Sequence, residues 1–373
     1  MKGTRTSTTD EHWMGRAAAL ARRGEGRTSP NPLVGAVLVN EGRVVGAGFH
    51  ARAGGPHAEI VALKAAGPAA RGADLYVTLE PCAHHGRTPP CADALVAAGV
   101  RRVVAGVQDP NPLVDGRGFA RLAVAGVEIR VGVLAPLCQR LIEPYAVAMA
   151  AGRPFVHLKM AFSADGRIAP ATGSSRWITG PAARRCAHRL RSRLDAVLVG
   201  ITTVLMDDPA LDVRLSGAPR AQPRAVVLDA GARTPPQARL LRPGSDGPPL
   251  ILCAADAPRQ RVAALAAAGA RVVPVPEEPP GMLHIPSVLE ALAHEGIQSI
   301  LVEGGGQVAG SFLAAGVVDR ATIFLAPVFL GSEATAAVAG LGRLDLLSAP
   351  RGRLVGIRRV GSDAVIELAL GGR

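Results

Sequence analysis

Apolar and polar residues follow two rhythms along this chain, and the switches between them mark out its elements. Met14, Ala17, Ala18 and Ala21 recur at helical spacing and make one face of a helix over residues 10–24, with Asp10 placed to cap its start and Gly24 to stop it. Runs at 33–39 and 43–48 flank Asn40-Glu41-Gly42, the pattern of a hairpin. Helices and strands then alternate: helix 57–66, strand 74–79, helix 91–98, strand 102–107, helix 117–125, strand 127–131. That alternation predicts an α/β fold, a sheet with helices packed on its faces.

A helical stretch over 137–151 runs into Gly152-Arg153-Pro154, and a new strand begins at 155–160. The boundary falls there, with one domain over 1–150 and a second over 154–373. The second half repeats the α/β pattern: helix 180–192, strands 196–199, 225–228 and 250–253, helix 258–268, strand 271–274, helix 285–295, strand 299–302, helix 307–315, then closing strands at 322–326, 354–360 and 364–370. The Pro- and Gly-rich stretches 215–223 and 242–249 read as surface loops. A length of 373 residues agrees with two domains, at roughly 150 residues each.

Composition narrows the class. Hydrophobic residues at 48% and charged residues at 19% fit a globular protein and exclude a disordered one. No apolar run approaches the roughly 20 residues that span a membrane, and the start MKGTRTSTTDEHW lacks the apolar core of a secretory signal, so the expected location is cytoplasmic, with no membrane partner. Cys82, Cys91, Cys138, Cys186 and Cys253 are odd in number and scattered, unlike a disulfide framework, which leaves metal binding or burial. The net charge of +12 comes almost wholly from Arg, the only lysines being Lys2, Lys64 and Lys159. Such a balance points to anionic partners or to a genome rich in Arg and Ala codons. Aromatic residues at 3% disfavour a single-strand nucleic-acid binder, so small phosphorylated molecules are the expected partners rather than nucleic acid.

Candidate chemistry concentrates at two places. His57-Ala58-Glu59 opens a predicted helix, Cys82 follows a predicted strand, and Cys91 follows a Gly- and Pro-rich loop. One imidazole and two thiolates leave the fourth position of a tetrahedral zinc open for water, the arrangement of a catalytic site. A Glu two residues after the His is the proton carrier of zinc deaminases and not a ligand. Zinc lowers the pKa of its water toward about 7, and Glu59 then moves protons from that water to the ring nitrogen and the departing ammonia. Helix N-termini at His57 and Cys82 are expected to steady the thiolate charge. The blander readings are a helix cap for His57 and buried thiols for the cysteines; His84 and His85 are alternative ligands.

Base deaminases usually carry Pro-Cys-x-x-Cys, whereas eight residues separate Cys82 from Cys91 here. The stretch from Glu80-Pro81-Cys82 through Ala83-His84-His85-Gly86-Arg87-Thr88-Pro89-Pro90 to Cys91 resembles the RibD family of bifunctional riboflavin-biosynthesis deaminase-reductases. So do Thr28-Ser29-Pro30-Asn31-Pro32-Leu33-Val34-Gly35 and Gln108-Asp109-Pro110-Asn111-Pro112. The resemblance implies a cytidine-deaminase-like α/β/α domain that deaminates a diamino, ribosylamino pyrimidinone 5′-phosphate. It carries the zinc ligands to His57, Cys82 and Cys91, the acid/base to Glu59, and substrate contacts to Asn31, His50, His84 and Arg87. Ala83 stands where the family often has Ser. On the residues alone, Asn31 reads as a turn residue and Arg87 as a solvated charge.

The second place is Glu303-Gly304-Gly305-Gly306, between strand 299–302 and helix 307–315. Residues without side chains there let backbone N–H groups approach a pyrophosphate, although a plain tight turn has the same pattern. The run from Pro154 through His157, Lys159 and Asp165 to Ala169, then Ser174-Ser175-Arg176-Trp177-Ile178-Thr179, then 195–214, resembles the same family's reductase domain, so the likeness covers nearly the whole chain. It implies a dihydrofolate-reductase-like α/β fold and NADPH as cofactor, with contacts at Ala161, Trp177, Thr203, Asp207, Gly305, Gly306, Gln307, Val308, Ala309, Gly310 and Ser311. Substrate contacts fall on Ser175, Arg191, Leu211, Arg214 and Glu303, with Arg191 and Arg214 chemically suited to a phosphate. Ala230 follows Asp229 where the family often has Ser. The implied reaction moves a hydride from NADPH to the ribosyl carbon attached to nitrogen, and opens the sugar to a ribityl chain.

Two other readings remain at this point. A nucleic-acid deaminase would share His57-x-Glu59 and the positive charge, but not the long cysteine gap or the second glycine loop. A non-catalytic binding protein with one decayed site would have to explain the intact His57, Glu59, Cys82 and Cys91. A homo-oligomer is compatible with the sequence, which leaves the oligomeric state open.

Overall fold

The computed structural model describes residues 4–83, 90–171, 177–215, 222–242, 244, 247–342 and 345–371. The chain divides into two compact units, Met1–Gly152 and Arg153–Arg373. No helix among the described residues is long and apolar enough to cross a membrane.

The first unit runs α1 (Thr4–Ala21), β1 (Gly35–Asn40), β2 (Arg43–Phe49), α2 (Ala58–Ala66), β3 (Asp74–Leu79), α3 (Cys91–Ala97), β4 (Arg102–Val107), α4 (Arg117–Val124), β5 (Glu128–Val131) and α5 (Ala135–Ala151). Its five strands lie in the order β2-β1-β3-β4-β5, with β1 antiparallel to both neighbours and β3, β4 and β5 parallel. Period-2 alternation sends successive residues to opposite faces. Ala36 and Leu38 pack with Ala58, Ala62, Leu95 and Leu122 of α2, α3 and α4. Val37 and Val39 pack with Met14, Ala17, Cys138 and Leu141 of α1 and α5. The helix α2, which starts directly after His57 and carries Glu59, lies directly on β2. A Cβ at Gly48 would come within 2.5 Å of the Ala58 carbonyl oxygen, and one at Gly46 would overlap that of Ala62.

The helix start expected at Asp10 is corrected by the structure. α1 begins at Thr4, and Asp10 lies inside it with its carboxylate buried. That carboxylate accepts from Tyr76 Oη at 2.9 Å, from Arg102 Nη2 at 2.9 Å and from Arg130 Nη1 at 2.5 Å. An acid that reads locally as a cap therefore serves as an anchor between helix and sheet. The hairpin turn is as expected: Asn40 pairs with Arg43, and Glu41 and Gly42 both take positive φ, as the two-residue turn that matches strand twist requires.

The second unit runs β6 (Phe155–Ser163), β7 (Arg167–Ala169), α6 (Pro181–Arg191), β8 (Ala196–Gly200), α7 (Ile201–Asp207), β9 (Arg224–Leu228), β10 (Leu250–Cys253), α8 (Arg259–Ala267), β11 (Arg271–Pro274), α9 (Ile285–His294), β12 (Ser299–Val302), α10 (Gly306–Ala314), β13 (Arg320–Ala326), β14 (Thr335–Ala336), β15 (Arg353–Val360) and β16 (Asp363–Ala369). Nine strands lie in the order β11-β10-β9-β8-β12-β6-β13-β16-β15. The first seven are parallel, and β16 and β15 close the sheet antiparallel. Val156, Leu158, Ala196, Leu198, Ile300 and Val302 form the core with Val288, Leu292 and Phe312 of α9 and α10. On a separate patch, Ala183 packs with Phe324 and Val365, and Ala187 and Leu190 extend it. Because β12 inserts between β8 and β6, the carboxyl ends of these three strands form a switch point, where ligands settle in open α/β sheets.

Candidate active sites

In the first unit β3, α2 and α3 bring three ligand atoms together. His57 is the extended residue before α2, Cys82 lies three residues beyond β3, and Cys91 opens α3. His57 Nδ1 stands 3.2 Å from Cys91 Sγ and 3.6 Å from Cys82 Sγ, and all three ligand atoms lie within 4.8 Å of one another. Among the described residues this is the one such group of His, Cys, Asp and Glu. The helix start expected at Cys82 is corrected: the helix begins at Cys91, and its first N–H donates to Cys82 Sγ at 3.3 Å. The dipole effect therefore reaches Cys82 through its neighbour's backbone.

The electrostatics fit a cation. Cys82 is pulled down to about 4, first by the hydrogen bond from the Cys91 thiol and then by His57, against its burial. Cys91 moves up, because it holds the proton the pair shares and because it is buried. His57 is raised, chiefly through its hydrogen bond with Cys82. Two sulfurs and an imidazole nitrogen competing for so few protons make a donor set that a divalent zinc satisfies. Burial pushes the Glu59 carboxyl up to about 7, against the pull of His57, and Glu59 is 3% exposed.

His50 lies beside His57, their rings edge to face at 5.7 Å. Its Nδ1 is 3.0 Å from the Pro56 carbonyl, which only accepts, so Nδ1 carries the proton. Nε2 then accepts from the Asn31 amide at 3.0 Å, which leaves the Asn31 oxygen as an acceptor. His84 and Arg87 lie outside the described residues, as does the alternative ligand His85.

One residue escaped the reading of the sequence. Glu80, buried at the end of β3 two residues before Cys82, accepts four backbone N–H bonds, from Asp109, Gly116, Gly118 and Phe119 at 2.9–3.3 Å. It ties the 109–119 segment to the strand end that presents Cys82. Gly118 has the matching signature, since a Cβ there would overlap the Pro81 carbonyl oxygen.

In the second unit a buried ionic trio sits at the switch point. Glu303 follows β12 and accepts from Arg191 Nε at 2.7 Å and Nη2 at 3.1 Å, with Lys159 of β6 at 3.5 Å. Burial raises the Glu303 carboxyl, but the Arg191 and Lys159 charges outweigh it and hold it down at about 2. Arg191 Nη1 also donates to the Asp212 carbonyl at 3.0 Å, which draws the 211–214 segment to the trio. Leu211 is buried with φ +54°, and Arg214 is largely exposed beside Asp212. Ser175 lies outside the described residues.

The glycine loop separates into two kinds. A Cβ at Gly304 would meet Val308 at 2.5 Å, one at Gly306 the Ala336 carbonyl oxygen at 2.5 Å, and one at Gly310 would overlap that of Ala339, so packing demands these three. At Gly305 the nearest atom to an added Cβ is Ile168 Cδ1 at 3.9 Å, so internal packing makes no such demand. Gly305 is also the N-cap of α10, with no side-chain cap. The first N–H groups of a helix lack intrahelical partners, so this end is fitted to an anion. Ala309 faces the core, while Gln307, Val308 and Ser311 reach solvent in part. Ala161 lies on β6, Thr203 and Asp207 on α7 after β8, and Trp177, 65% exposed with φ +65°, has the Arg184 guanidinium over its ring at 4.2 Å.

Comparison with known proteins adds to this geometry. Residues 154–366 match the family model of the RibD C-terminal domain, and residues 7–107 that of the cytidine and deoxycytidylate deaminase zinc-binding region. The riboflavin biosynthesis protein RibD of Escherichia coli is 43% identical over 370 residues, covering 96% of this chain and 99% of that protein. That of Bacillus amyloliquefaciens is 42% identical over 355 residues, covering 95% and 94%. Acinetobacter baumannii RibD superposes with a TM-score of 0.88 at 38% identity, covering 98% of this chain and 100% of that one. A Thermotoga maritima structure, described as a diaminohydroxyphosphoribosylaminopyrimidine deaminase/5-amino-6-(5-phosphoribosylamino)uracil reductase, gives 0.86 at 33%, covering 98% and 100%. Both halves match across almost their full length, and the chain belongs to the RibD family, the bifunctional deaminase and reductase enzymes of riboflavin biosynthesis.

Proposed function

We propose that residues 1–150 hydrolytically deaminate 2,5-diamino-6-ribosylamino-4(3H)-pyrimidinone 5′-phosphate. Residues 154–373 then reduce the ribosyl group with NADPH to give 5-amino-6-ribitylamino-uracil 5′-phosphate. The observation that carries this reading is the convergence of His57, Cys82 and Cys91 beside a buried Glu59 whose carboxyl titrates near neutrality. These three side chains would hold zinc, which supplies Lewis acidity that lets water lose a proton near pH 7.

The rest is work for the chain's own groups. Glu59 accepts one proton from the attacking water and passes it to the ring nitrogen, then takes the second from the new hydroxyl on the ring carbon as the carbonyl forms and gives it to the amine, which leaves as ammonia. A pKa of about 7 suits both halves of that exchange. Asn31, oriented by His50, offers its oxygen to an N–H donor of the pyrimidine. His84 and Arg87 complete the substrate contacts in this reading.

At the second site NADPH supplies the hydride. The N-terminus of α10 at Gly305 would hold its pyrophosphate, Ala161, Trp177, Thr203 and Asp207 would supply further contacts, and residues 306–311 form and back the helix end. Lys159 and Arg191 outnumber Glu303, so the trio carries a net positive charge, and with Arg214, Leu211 and Ser175 it receives the phosphorylated substrate. The enzyme is placed in the cytoplasm, where ligating thiols stay reduced. The test is incubation of the zinc-loaded protein with the diaminopyrimidinone phosphate and NADPH, following ammonia release and cofactor oxidation together. Both are expected, with about one NADPH oxidised per ammonia released. Neither product appearing overturns the reading.

A further inference from the structure

We propose that His188 is a positioning residue of the reductase site: its Nδ1 accepts the Arg214 backbone N–H and so sets the guanidinium that meets the substrate phosphate. The inference rests on the reductase reading above and deepens it, because that reading names Arg214 as a contact without saying what holds an exposed side chain in place.

The segment that carries Arg214 has no ladder of its own, since residues 208–215 follow α7 outside any helix or strand. Such a backbone takes its hydrogen bonds from side chains or water. Side chains supply them here at three successive residues. Arg191 Nη1 donates to the Asp212 carbonyl at 3.0 Å. Gln222, two residues before β9, accepts from Val213 N at 2.7 Å and donates to the Val213 carbonyl at 3.3 Å. His188 Nδ1 takes the third position, accepting from Arg214 N at 3.3 Å. His188 and Arg191 stand three residues apart on α6 and so share a helix face, which grips the segment at both Asp212 and Arg214. Arg214 Nε in turn lies 3.3 Å from Asp212 Oδ1, so the direction of the guanidinium follows from the backbone that these bonds fix. A binding group held in place beforehand loses less freedom when the ligand arrives.

The bond requires a neutral imidazole. A backbone N–H only donates, so Nδ1 carries no proton and the ring proton sits on Nε2. The charges that face His188 are Arg191 on its own helix, Glu303 after β12, and Asp212 and Arg214 on the segment. Burial, Arg191 and Arg214 bring the imidazole below its ordinary 6.5, against the opposing pull of Glu303 and Asp212. The acceptor is therefore present at neutral pH and is lost as pH falls through that lowered value. An imidazolium would place a third cation beside Arg191 and Arg214 and release the Arg214 N–H.

The test is steady-state reduction of the deaminated intermediate, followed as NADPH oxidation from about pH 5 to 8. At neutral pH His188→Ala should raise KM for the phosphorylated intermediate about fivefold, the scale of one lost neutral hydrogen bond, with kcat and the dephosphorylated analogue unchanged. His188→Asn offers an acceptor in place of Nδ1 that does not titrate, and should return KM to within about twofold of wild type. Below about pH 6 the wild-type KM should rise relative to that of His188→Asn; the substrate phosphate's own ionisation near 6 is common to both and cancels in the ratio. In an Arg214→Ala background His188→Ala should add little, because the residue acts through Arg214. Losses that add across that pair, an equal loss on the dephosphorylated analogue, or no loss in His188→Ala overturn the proposal and leave the reductase reading standing. So does a wild-type KM below that of His188→Asn at low pH, which would make the imidazolium a phosphate contact itself. The pH comparison uses only wild type and His188→Asn, so it decides the matter even if His188→Ala lowers the thermal midpoint. A wild type that does not reduce the supplied intermediate overturns both readings.

Discussion

Replacing Glu303 by Gln tests how the second site is held together. The carboxylate is 7% exposed, Arg191 is 14% exposed, and Lys159 completes the trio at 3.5 Å. Gln keeps the volume but removes the trio's anion, so Lys159 and Arg191 face each other out of water with Asp212 as the remaining acid acting on Arg191. The Glu303 carboxyl lies at about 2 in place of its ordinary 4.5. At about 1.36 kcal/mol per pH unit that gap corresponds to about 3 kcal/mol. It agrees with the roughly 3–5 kcal/mol lost when one partner of a buried ion pair is removed. The chain's two tryptophans are Trp13 and Trp177, one in each unit, so urea unfolding in a Trp13→Phe background reports on the second unit. With a slope of about 2–3 kcal/mol per molar, the midpoint at pH 7 should fall by about 1 M or more. A carboxyl depressed in the folded state stabilises above its unfolded pKa and loses that contribution as pH falls toward its folded value. The gap between wild type and variant should therefore be full above pH 4.5 and close as pH drops toward about 2. A loss below about 1 kcal/mol at pH 7, or a gap that does not change with pH, refutes the reasoning.

Cys82→Ser and Cys91→Ser should each lower bound zinc well below the about one ion per chain expected of the wild type, by metal analysis, whereas Cys253→Ser should not. Arg214→Ala should raise KM for the phosphorylated substrate by about tenfold and leave a dephosphorylated analogue unaffected, since an exposed guanidinium sits at the low end of charge-assisted bonds. Gly305→Asp should abolish NADPH binding in a fluorescence titration while thermal midpoint and ammonia release hold, because the site has room for a Cβ but a carboxylate repels a pyrophosphate. By contrast, Gly310→Ala should lower the midpoint, because its Cβ would overlap the Ala339 carbonyl.

The strands that read correctly from sequence alone are those whose pattern is local. Residues 74–79, 102–107, 250–253, 271–274 and 299–302 match β3, β4, β10, β11 and β12 at both ends. Each is a short apolar run bounded by turns, and burial follows from its own composition. Asp10 misled because its partners Tyr76, Arg102 and Arg130 are distant in the chain, and no local pattern separates a cap from a buried anchor. α7 was not anticipated, since its seven residues are too few to display a period. The insertion of β12 between β8 and β6 is a choice among non-local pairings and leaves no trace in the sequence. At the sites, the metal triad was legible because its spacing is itself the chemistry, whereas the Arg191–Glu303 pair joins residues known only from resemblance until the fold brings them together. Glu80 was hidden because its four partners are backbone amides, which any residue supplies.

The account's central claim is two chemically independent sites on one chain, linked only by the intermediate, and Glu59→Gln tests it most directly. Gln keeps the shape beside the metal ligands but cannot carry the proton, so ammonia release should fall to background while zinc content stays at about one per chain. NADPH oxidation, followed spectrophotometrically, should proceed at the wild-type rate when the variant is given the deaminated intermediate and should vanish when it is given the undeaminated substrate. If the folded, zinc-loaded variant fails to reduce the supplied intermediate, or still releases ammonia at the wild-type rate, the two-site account is contradicted.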